Sequence, residues 1–394
     1  MTHAGTVLSP PVTAPEPAPG ERARVSLLRA SGVAVGLFLG ARLAGAAVLA
    51  LLAEAAGRPV MALLGRSWDS VWYLGIAAHG YGHALGRHGY SDLAFFPLYP
   101  ALVRAVSEVS TLGGGAAGLL VSWSAALVAA AGLYAVGALL YGRPVGIALV
   151  LLWGLLPHSV VLSMAYTEPV LAACAAWSLY AVLTGRWLWA GSLAALAGLA
   201  RPNGFAVAAA VLAAAACEVW RRRGRVSHRL WTGAALAPLG WTAFLLWVGR
   251  RRGDLLGGYF AVQARWGSRF DLGRGSLRFV HALLLHGGRV VFPMALLLVA
   301  VGVVLFVLLA LDRPPLPLLV YSGVLLLVVL GGSGIFESKP RFLLPAFPLL
   351  LPPARALVRT AKARPWHAAV LVASLAGLSY LYGAYLLVLG NAPL

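Results

Sequence analysis

The chain has 394 residues, of which 60% are hydrophobic and 11% are charged, with a mean hydropathy of +0.84 and a net charge of +19. Soluble proteins carry about 25% charged residues, so this composition excludes a soluble domain and predicts a polytopic membrane protein. The arginines lie in short clusters between apolar runs, which is typical of loops that face anionic lipid headgroups and argues against nucleic acid as a partner. Cys174 and Cys217 lie in apolar runs without metal-ligand spacing, and we interpret both as buried apolar side chains.

The first 24 residues are rich in proline and lack apolar periodicity, so residues 1–24 are predicted to be a disordered cytoplasmic tail. Residues 25–394 are predicted to form a single transmembrane domain. The apolar run from about 25 to 55 is too long for a signal-peptide core and is predicted to remain as an anchor. Because Arg22, Arg24 and Arg29 precede or begin it, its amino end is placed in the cytoplasm.

Residues 54–112 mix aromatic residues, histidines, glycines and scattered charges, and are predicted to form the first extracytoplasmic loop, with one or two amphipathic helices on the membrane surface. Trp68, Trp72 and Ile76 recur at helical spacing, and Asp69 and Tyr73 would share an adjacent face. Pro97 and Pro100 are predicted to stop or kink any helix that Phe95 begins.

The remaining chain is predicted to be all helical, without an internal repeat. The predicted helices are 115–140, 146–164, 169–184, 187–200, 205–219, 230–249, 289–311, 316–334, 341–356 and 367–389. With the first anchor they give about eleven spans, several of them short for a hydrocarbon core of ~30 Å.

Alternation of sides places the basic cluster 221–225 in the cytoplasm, and most of the acidic residues outside. One feature does not fit this topology. Arg250, Arg251 and Arg252 fall on the outer side, although basic residues favour cytoplasmic loops. The predicted outer face also carries carboxylates and cations that together suit an anionic headgroup. They are Asp69, Asp92, Glu168, Asp254, Asp271, Glu337, Arg201, Arg265, Arg269, Lys339 and Arg341.

Each candidate also has a structural interpretation. Asp69 begins a helix and could act as its N-cap, and the aromatic residues around it could form an interfacial belt. Arg201 opens an Arg-Pro-Asn-Gly turn, while Lys339 and Arg341 could extend to lipid headgroups. The loop histidines His79, His83 and His88 have no metal-ligand pattern and are interpreted as polar surface groups.

Taken together, the motifs resemble a known family. Residues 68–73 (Trp-Asp-Ser-Val-Trp-Tyr) are followed by residues 94–100 (Ala-Phe-Phe-Pro-Leu-Tyr-Pro), and this pair resembles the signature of PIG-V-type mannosyltransferases. Weaker matches follow in the family's order and extend the resemblance over about residues 35–360. They are residues 165–169, residues 200–204, Gln263 with Trp266, and residues 340–348.

The resemblance implies a GT-C glycosyltransferase fold and a polyprenyl-phosphate-mannose donor, with a glycolipid or glycan as acceptor. It implies a multi-pass protein of the plasma membrane whose active site faces the extracytoplasmic side. The acidic residue that the family requires in this loop corresponds here to Asp69, the expected catalytic base. No cofactor is expected, and a divalent metal is not expected because such ions prefer several oxygen ligands.

The other expected roles follow from the chemistry of transfer. Arg201, Lys339, Arg341 and Arg265 are expected to bind the donor phosphate, because cations stabilise a phosphate leaving group. Sugar or acceptor binding is expected from a second set, namely Trp68, Trp72, Tyr73, Glu168, Gln263 and Trp266. Asp69 would remove the acceptor proton, and in-line attack would invert the anomeric carbon.

Three other functions remain open on the sequence. The donor could carry another sugar on a polyprenyl phosphate, because no residue identifies the sugar. The protein could instead be a transporter or flippase of lipid-linked saccharides, although that would favour inverted repeats and acidic residues at mid-membrane depth. It could also be a non-catalytic partner of another subunit.

Overall fold

The computed structural model describes residues 19–83 and 90–390, with side chains described from residue 31 onward. Within these ranges the chain is all helical, as predicted, with one isolated β-bridge between Phe270 and Gly332 and no β-strand. The helices are α1 (Pro19–Ala55), α2 (Val60–Gly65), α3 (Asp69–His79), α4 (Leu98–Val109), α5 (Gly114–Tyr141), α6 (Arg143–Gly154), α7 (Glu168–Leu183), α8 (Trp187–Ala200), α9 (Phe205–Arg221), α10 (His228–Leu236), α11 (Leu239–Arg252), α12 (Gly258–Arg265), α13 (Arg274–His286), α14 (Val291–Leu311), α15 (Leu316–Gly331), α16 (Lys339–Phe342), α17 (Leu351–Ala363) and α18 (Pro365–Ala384).

The predicted tail is only partly within the described residues. Helix α1 begins at Pro19, and the disordered tail over residues 1–24 stays a prediction. Proline suits the first turn of a helix, and the Glu-Arg-Ala-Arg sequence that follows has high helix propensity. Residues 1–18 and His88 lie outside the described residues.

The protein is a multi-pass membrane protein, but the count of about eleven spans is not confirmed. Among the described residues, six helices are long and apolar enough to cross a membrane: 31–55, 114–141, 202–221, 228–252, 291–311 and 365–389. A seventh candidate, Phe336–Phe342 with Phe347–Ala363, is bent by 78°. Four shorter apolar helices, α6, α7, α8 and α15, coincide with predicted segments.

Prolines explain where the helices differ from the predicted ones. The segment predicted at 230–249 consists of α10 and α11, which meet at Pro238. The segment predicted at 146–164 consists of α6 and a 3-10 turn over Ser159–Ser163, with Pro157 between them. A proline inside a helix removes one backbone hydrogen bond and clashes with the preceding turn, so these helices break there.

The segment predicted as the first loop contains three helices, α2, α3 and α4, where one or two were predicted. The prediction that Pro97 and Pro100 stop or kink a helix is wrong, because both lie at the beginning of α4. Pro97 occupies the N-cap position of α4, and Pro100 lies in its first turn. Proline is tolerated at these positions because the first turn has no backbone acceptor for its missing N–H.

A buried arginine fixes the chain just before α7. Arg42 of α1 donates hydrogen bonds to the hydroxyl oxygens of Ser159 (2.6 Å) and Ser163 (2.9 and 3.0 Å), and to the Gly154 carbonyl (3.0 Å). These bonds hold the 3-10 turn against α1. The chain then passes through Tyr166 and Thr167 into the first residue of α7, so Arg42 helps to position the amino end of that helix.

Candidate functional site

Asp69 is the first residue of α3, and its carboxylate contacts a residue far along the chain. Its Oδ2 lies 2.7 Å from Arg341 Nη2, and its backbone N–H donates to the Tyr166 hydroxyl at 3.3 Å. The N-cap interpretation is wrong, because Trp68 occupies that position and makes no capping bond. Trp68 has a φ of 55°, which a non-glycine residue rarely adopts, so the backbone is strained where it presents Asp69.

A second carboxylate joins two arginines. Glu168 begins α7, and its Oε1 lies 2.5 Å from Arg201 Nη1 and 3.8 Å from Arg341 Nε. Arg201 follows the last residue of α8, and Arg341 belongs to the short helix α16. The Phe342 ring lies near both guanidinium groups, at 5.5 Å and 5.1 Å from its centroid. Four separate segments therefore meet at one end of the bundle.

We call Asp69, Glu168, Arg201 and Arg341 the charged cluster. Its formal charge is zero, and three of its members are almost completely buried: Glu168 is 1% exposed, Arg201 5% and Arg341 7%. The Asp69 side chain, at 23%, is the most accessible. Removing charged groups from water costs several kcal/mol per ion, so this arrangement requires the pairing that the structure shows.

Several buried polar atoms of the charged cluster lack a hydrogen-bond partner among the described residues. Glu168 Oε2, Arg201 Nε and Arg341 Nη1 have no partner at all within that part of the chain, whereas Glu168 Oε1 and Arg341 Nε are held by ion pairs alone. Asn203, in the turn after Arg201, has no partner for either amide atom. Buried polar groups are normally satisfied, and unsatisfied ones call for an explanation such as a bound polar ligand.

The wall beside the cluster consists of Tyr73, Tyr166 and Thr167. Thr167 Oγ1 accepts from Arg201 Nη1 at 2.8 Å and lies 3.3 Å from the Tyr73 hydroxyl. Burial, opposed by Arg201, raises the pKa of Tyr73 to about 12, so this phenol remains protonated at neutral pH. As predicted, Asp69 and Tyr73 share a face of α3, because both contact the 166–167 segment.

An aromatic cluster joins the first loop to α12. Trp72 stacks on Phe95 with centroids 5.7 Å apart, and Trp266 contacts both rings edge-on. The Trp266 indole N–H donates to the Ser91 carbonyl (3.1 Å), and the Gln263 amide donates to the Ala94 carbonyl (3.1 Å). Trp72, Gln263 and Trp266 are thus brought together, and the Trp72, Trp266 and Tyr73 rings pack against other aromatic rings of the protein.

Trp68 differs from these aromatic residues. Its side chain is 36% exposed, and it makes no ring contact within the described part of the chain. It immediately precedes Asp69 in the chain and is the most exposed of the predicted aromatic residues. Arg265, in the last turn of α12, is exposed and is not part of the charged cluster.

Lys339 lies two residues before Arg341 but has a different environment. Its Nζ donates to Ser276 Oγ (2.5 Å), the Val329 carbonyl (2.8 Å) and the Gly332 carbonyl (2.7 Å). An ammonium group has three N–H donors, and all three are used here. Lys339 therefore fastens α13, α15 and α16 together and has no donor left for a phosphate.

The charged cluster does not fit a divalent metal ion. Both of its carboxylates are ion-paired to arginine, and the other aspartate of the first loop, Asp92, is buried and accepts from the Gly82 backbone N–H at 2.7 Å. Among residues 19–83 and 90–390, no three histidine, cysteine or acidic side chains could hold a metal ion. The expectation that no metal takes part stays a prediction.

No protein-family model matches the sequence, and no curated protein matches it. The chain does resemble the oligosaccharyltransferase of Archaeoglobus fulgidus. The likeness to its structure in complex with Zn and sulfate has a TM-score of 0.50 at 14% identity, over 88% of this chain and 54% of the archaeal chain. For the form tethered to an acceptor peptide through a disulfide bond, the TM-score is 0.52 at 12% identity, over 91% of this chain and 56% of the archaeal chain.

These comparisons define the fold. The archaeal protein has the GT-C fold, and this chain shares it, as the sequence predicts. The chain spans about half the length of the archaeal protein that it matches. At this level of identity the likeness concerns the fold alone, and membership of the PIG-V family stays a prediction.

Sequence reasoning missed two residues that build the site. Thr167 joins Arg201 to Tyr73, and its place between Tyr166 and Glu168 in a quoted motif was the available signal. Arg42 had a different signal, since an arginine inside a long apolar run is costly unless the protein satisfies it.

Proposed function

We propose that the protein is an inverting glycosyltransferase that moves a sugar from a polyprenyl phosphate to an acceptor hydroxyl. The observation that carries this proposal is the charged cluster itself. A partly exposed carboxylate, Asp69, lies 2.7 Å from a buried arginine whose Nη1 lacks a partner. The cluster therefore combines a base for a hydroxyl proton with a cation for a phosphate, which are the two groups that this transfer needs.

The chemical step uses one proton and one bond exchange. The acceptor oxygen attacks the anomeric carbon, and its proton moves to the Asp69 carboxylate. The bond between the anomeric carbon and the phosphate oxygen breaks, and its electron pair leaves with the phosphate. Because the phosphate is already stable as an anion, no general acid is required, and in-line attack inverts the anomeric carbon.

Arg341 links the two halves of this step. Its Nη2 orients Asp69, and its Nη1 is the buried donor that we assign to a phosphate oxygen. Guanidinium groups suit phosphate because they offer several donors in a fixed plane. A phosphate bound to Arg341 would therefore lie beside the Asp69 carboxylate, on the same guanidinium group.

Glu168 and Arg201 support this arrangement. Glu168 Oε1 pairs with both arginines and sets their positions, which leaves Oε2 as the acceptor that we assign to a sugar or acceptor hydroxyl. Arg201 adds positive charge on the phosphate side. Trp68 is the aromatic residue that we assign to a sugar face. Tyr73 belongs to the wall, and Trp72, Gln263 and Trp266 belong to the aromatic cluster that packs against it.

The finer assignments rest on the sequence resemblance. We propose mannose as the sugar, a glycolipid or glycan as the acceptor, and the extracytoplasmic face of the plasma membrane as the location. The fastening role of Lys339 and the exposed position of Arg265 leave Arg201 and Arg341 as the proposed phosphate ligands.

The test is transfer of labelled mannose from a polyprenyl-phosphate donor to glycolipid acceptors by the protein in nanodiscs. Asp69→Asn should fold and bind donor but lose at least about 100-fold in transfer rate, which is typical for loss of a general base. The matched control is Asp92→Asn, the same change in the same loop, which should retain activity. Transfer by Asp69→Asn near the wild-type rate would refute the role of Asp69.

A further inference from the structure

A second polar feature lies at the opposite end of the bundle. Helix α7 runs from the charged cluster to Leu183, about 24 Å away for its 16 residues, and α8 returns from Trp187 to Arg201. A cleft of about 550 Å³ opens between these helices, α9, α10 and α15. We call it the Arg221 cleft, and its lining includes Trp187, Glu218, Arg221, Arg222, Ser227 and Leu316.

The electrostatic balance of the Arg221 cleft favours an anion. Glu218 pairs with Arg222 (2.5 Å) and only weakly with Arg221 (3.9 Å), so the lining keeps one uncompensated positive charge. The loop that follows adds the exposed side chains of Arg223 and Arg225, and the first turn of α10 adds that of Arg229. Within the described part of the chain, Glu218 is the only acidic residue that lines the cleft.

Helix ends add to this balance. Helices α8, α10 and α15 begin at the cleft, and their amino ends carry partial positive charge. The carboxyl ends of α7 and α9 also reach it, but Arg221 and Arg222 lie at the end of α9 and offset that helix's negative pole.

The depth of the Arg221 cleft in the membrane is marked by tryptophans. Trp189, Trp220 and Trp231 lie in the terminal turns of the helices that border the cleft, and they are 66%, 85% and 56% exposed. Exposed tryptophans at helix ends are typical of the membrane–water interface. The charged rim of the cleft therefore lies at headgroup depth.

Apolar side chains also line the cleft. They are Val182, Leu183, Ala214, Leu230 and Leu316. A soluble anion would gain nothing from these side chains, whereas the glycerol backbone and first methylenes of a lipid would cover them. The presence of arginines and apolar side chains in one cleft matches a lipid that carries its own phosphate.

We propose that the Arg221 cleft binds the headgroup phosphate of an anionic membrane phospholipid. Arg221 and the amino end of α10 contact the phosphate, while Trp187 and the leucines contact the glycerol region. This site is separate from the charged cluster, so its test does not depend on the proposed transferase activity.

Native mass spectrometry of the full chain, titrated with phosphatidylglycerol or phosphatidylcholine, tests the proposal. Phosphatidylglycerol should bind at least tenfold more tightly. The double variant Arg221→Gln/Arg222→Gln should remove that preference, because each arginine near the headgroups contributes substantially to anionic lipid binding. The matched control, Arg250→Gln/Arg252→Gln, removes two exposed arginines from the last turn of α11, which does not line the cleft. This control should keep the preference for phosphatidylglycerol.

Glu218→Gln is the variant that guards against misfolding of the double variant. It removes the internal counter-ion and leaves both arginines, so lipid affinity should rise severalfold. Cys217, which is exposed and lines the cleft rather than being buried as predicted, gives a second readout. Phosphatidylglycerol should protect it from a maleimide, and phosphatidylcholine should not.

Two results would overturn the proposal. An equal loss of phosphatidylglycerol affinity in Arg221→Gln/Arg222→Gln and in Arg250→Gln/Arg252→Gln would mean that surface charge alone attracts the lipid. Full competition by millimolar inorganic phosphate would mean that the cleft takes a soluble anion.

Discussion

The role of Glu168 as the shared counter-ion of two buried arginines gives the sharpest prediction on stability. Glu168→Gln keeps the size of the side chain but removes its charge. Because Arg201 and Arg341 are 5% and 7% exposed, water cannot replace the lost partner. Breaking a buried ion pair from one side costs about 3–5 kcal/mol, since an uncompensated charge remains. Arg341 would retain Asp69, so Arg201 carries most of this cost.

The comparison with Asp69→Asn makes the prediction specific. The Asp69 side chain is 23% exposed, and its loss leaves Arg341 with Glu168, so we expect a cost of only about 1 kcal/mol for this partly solvated pair. Thermal unfolding in matched nanodiscs should therefore rank Glu168→Gln well below Asp69→Asn and wild type. The double variant Glu168→Gln/Arg201→Gln should recover part of the loss, because it removes the stranded charge as well.

Two outcomes would refute this reasoning. Equal melting temperatures for Glu168→Gln and Asp69→Asn would mean that burial does not govern the energetics of the charged cluster. A double variant less stable than the sum of the two single variants would mean that Glu168 and Arg201 do not stabilise each other in the folded protein.

Three further predictions concern the wall, the fastening lysine and the topology. Trp68→Ala should raise the KM for donor or acceptor with little change in melting temperature. Trp72→Ala should lower the melting temperature, because Trp72 packs against Phe95 and Trp266. The reverse pattern would contradict the assignment of Trp68 to the sugar. Lys339→Met should destabilise the protein by about 1–3 kcal/mol, because three acceptors lose their donor. The KM for the donor, measured on the folded fraction, should not change. A rise in that KM without a loss of stability would mean that Lys339 binds the phosphate. In a cysteine-free background, Ser110→Cys should react with an impermeant maleimide from outside intact cells and Arg225→Cys should not, and the opposite labelling would invert the proposed orientation.

Much of the helical pattern follows from the sequence, because apolar runs and prolines act locally. Helix α8 has the predicted bounds, and α5, α7 and α9 differ from prediction by one or two residues. The predicted helix bounds are wrong where a proline divides an apolar segment into two helices, as at Pro238 and around α16. Local pattern identifies an apolar segment but does not show whether it is straight or bent.

The charged cluster was predictable in membership but not in pairing. Asp69, Glu168, Arg201 and Arg341 were all assigned to the same face from topology and motifs. Their contacts depend on helix ends that are far apart in sequence, which no local pattern specifies. Lys339 shows this limit most clearly, because one turn of backbone directs it toward α13 and α15 while Arg341 contacts Asp69.

The most direct test of the central claim is the single-turnover rate of mannose transfer by wild type and Asp69→Asn at saturating polyprenyl-phosphate mannose. Donor binding is measured separately, so that a loss in the chemical step is distinguished from a loss of affinity. We predict at least a 100-fold slower step in Asp69→Asn with donor affinity retained, and an inverted anomeric configuration in the wild-type product. An unchanged rate in Asp69→Asn, or retention at the anomeric carbon, would contradict a single carboxylate base at this site.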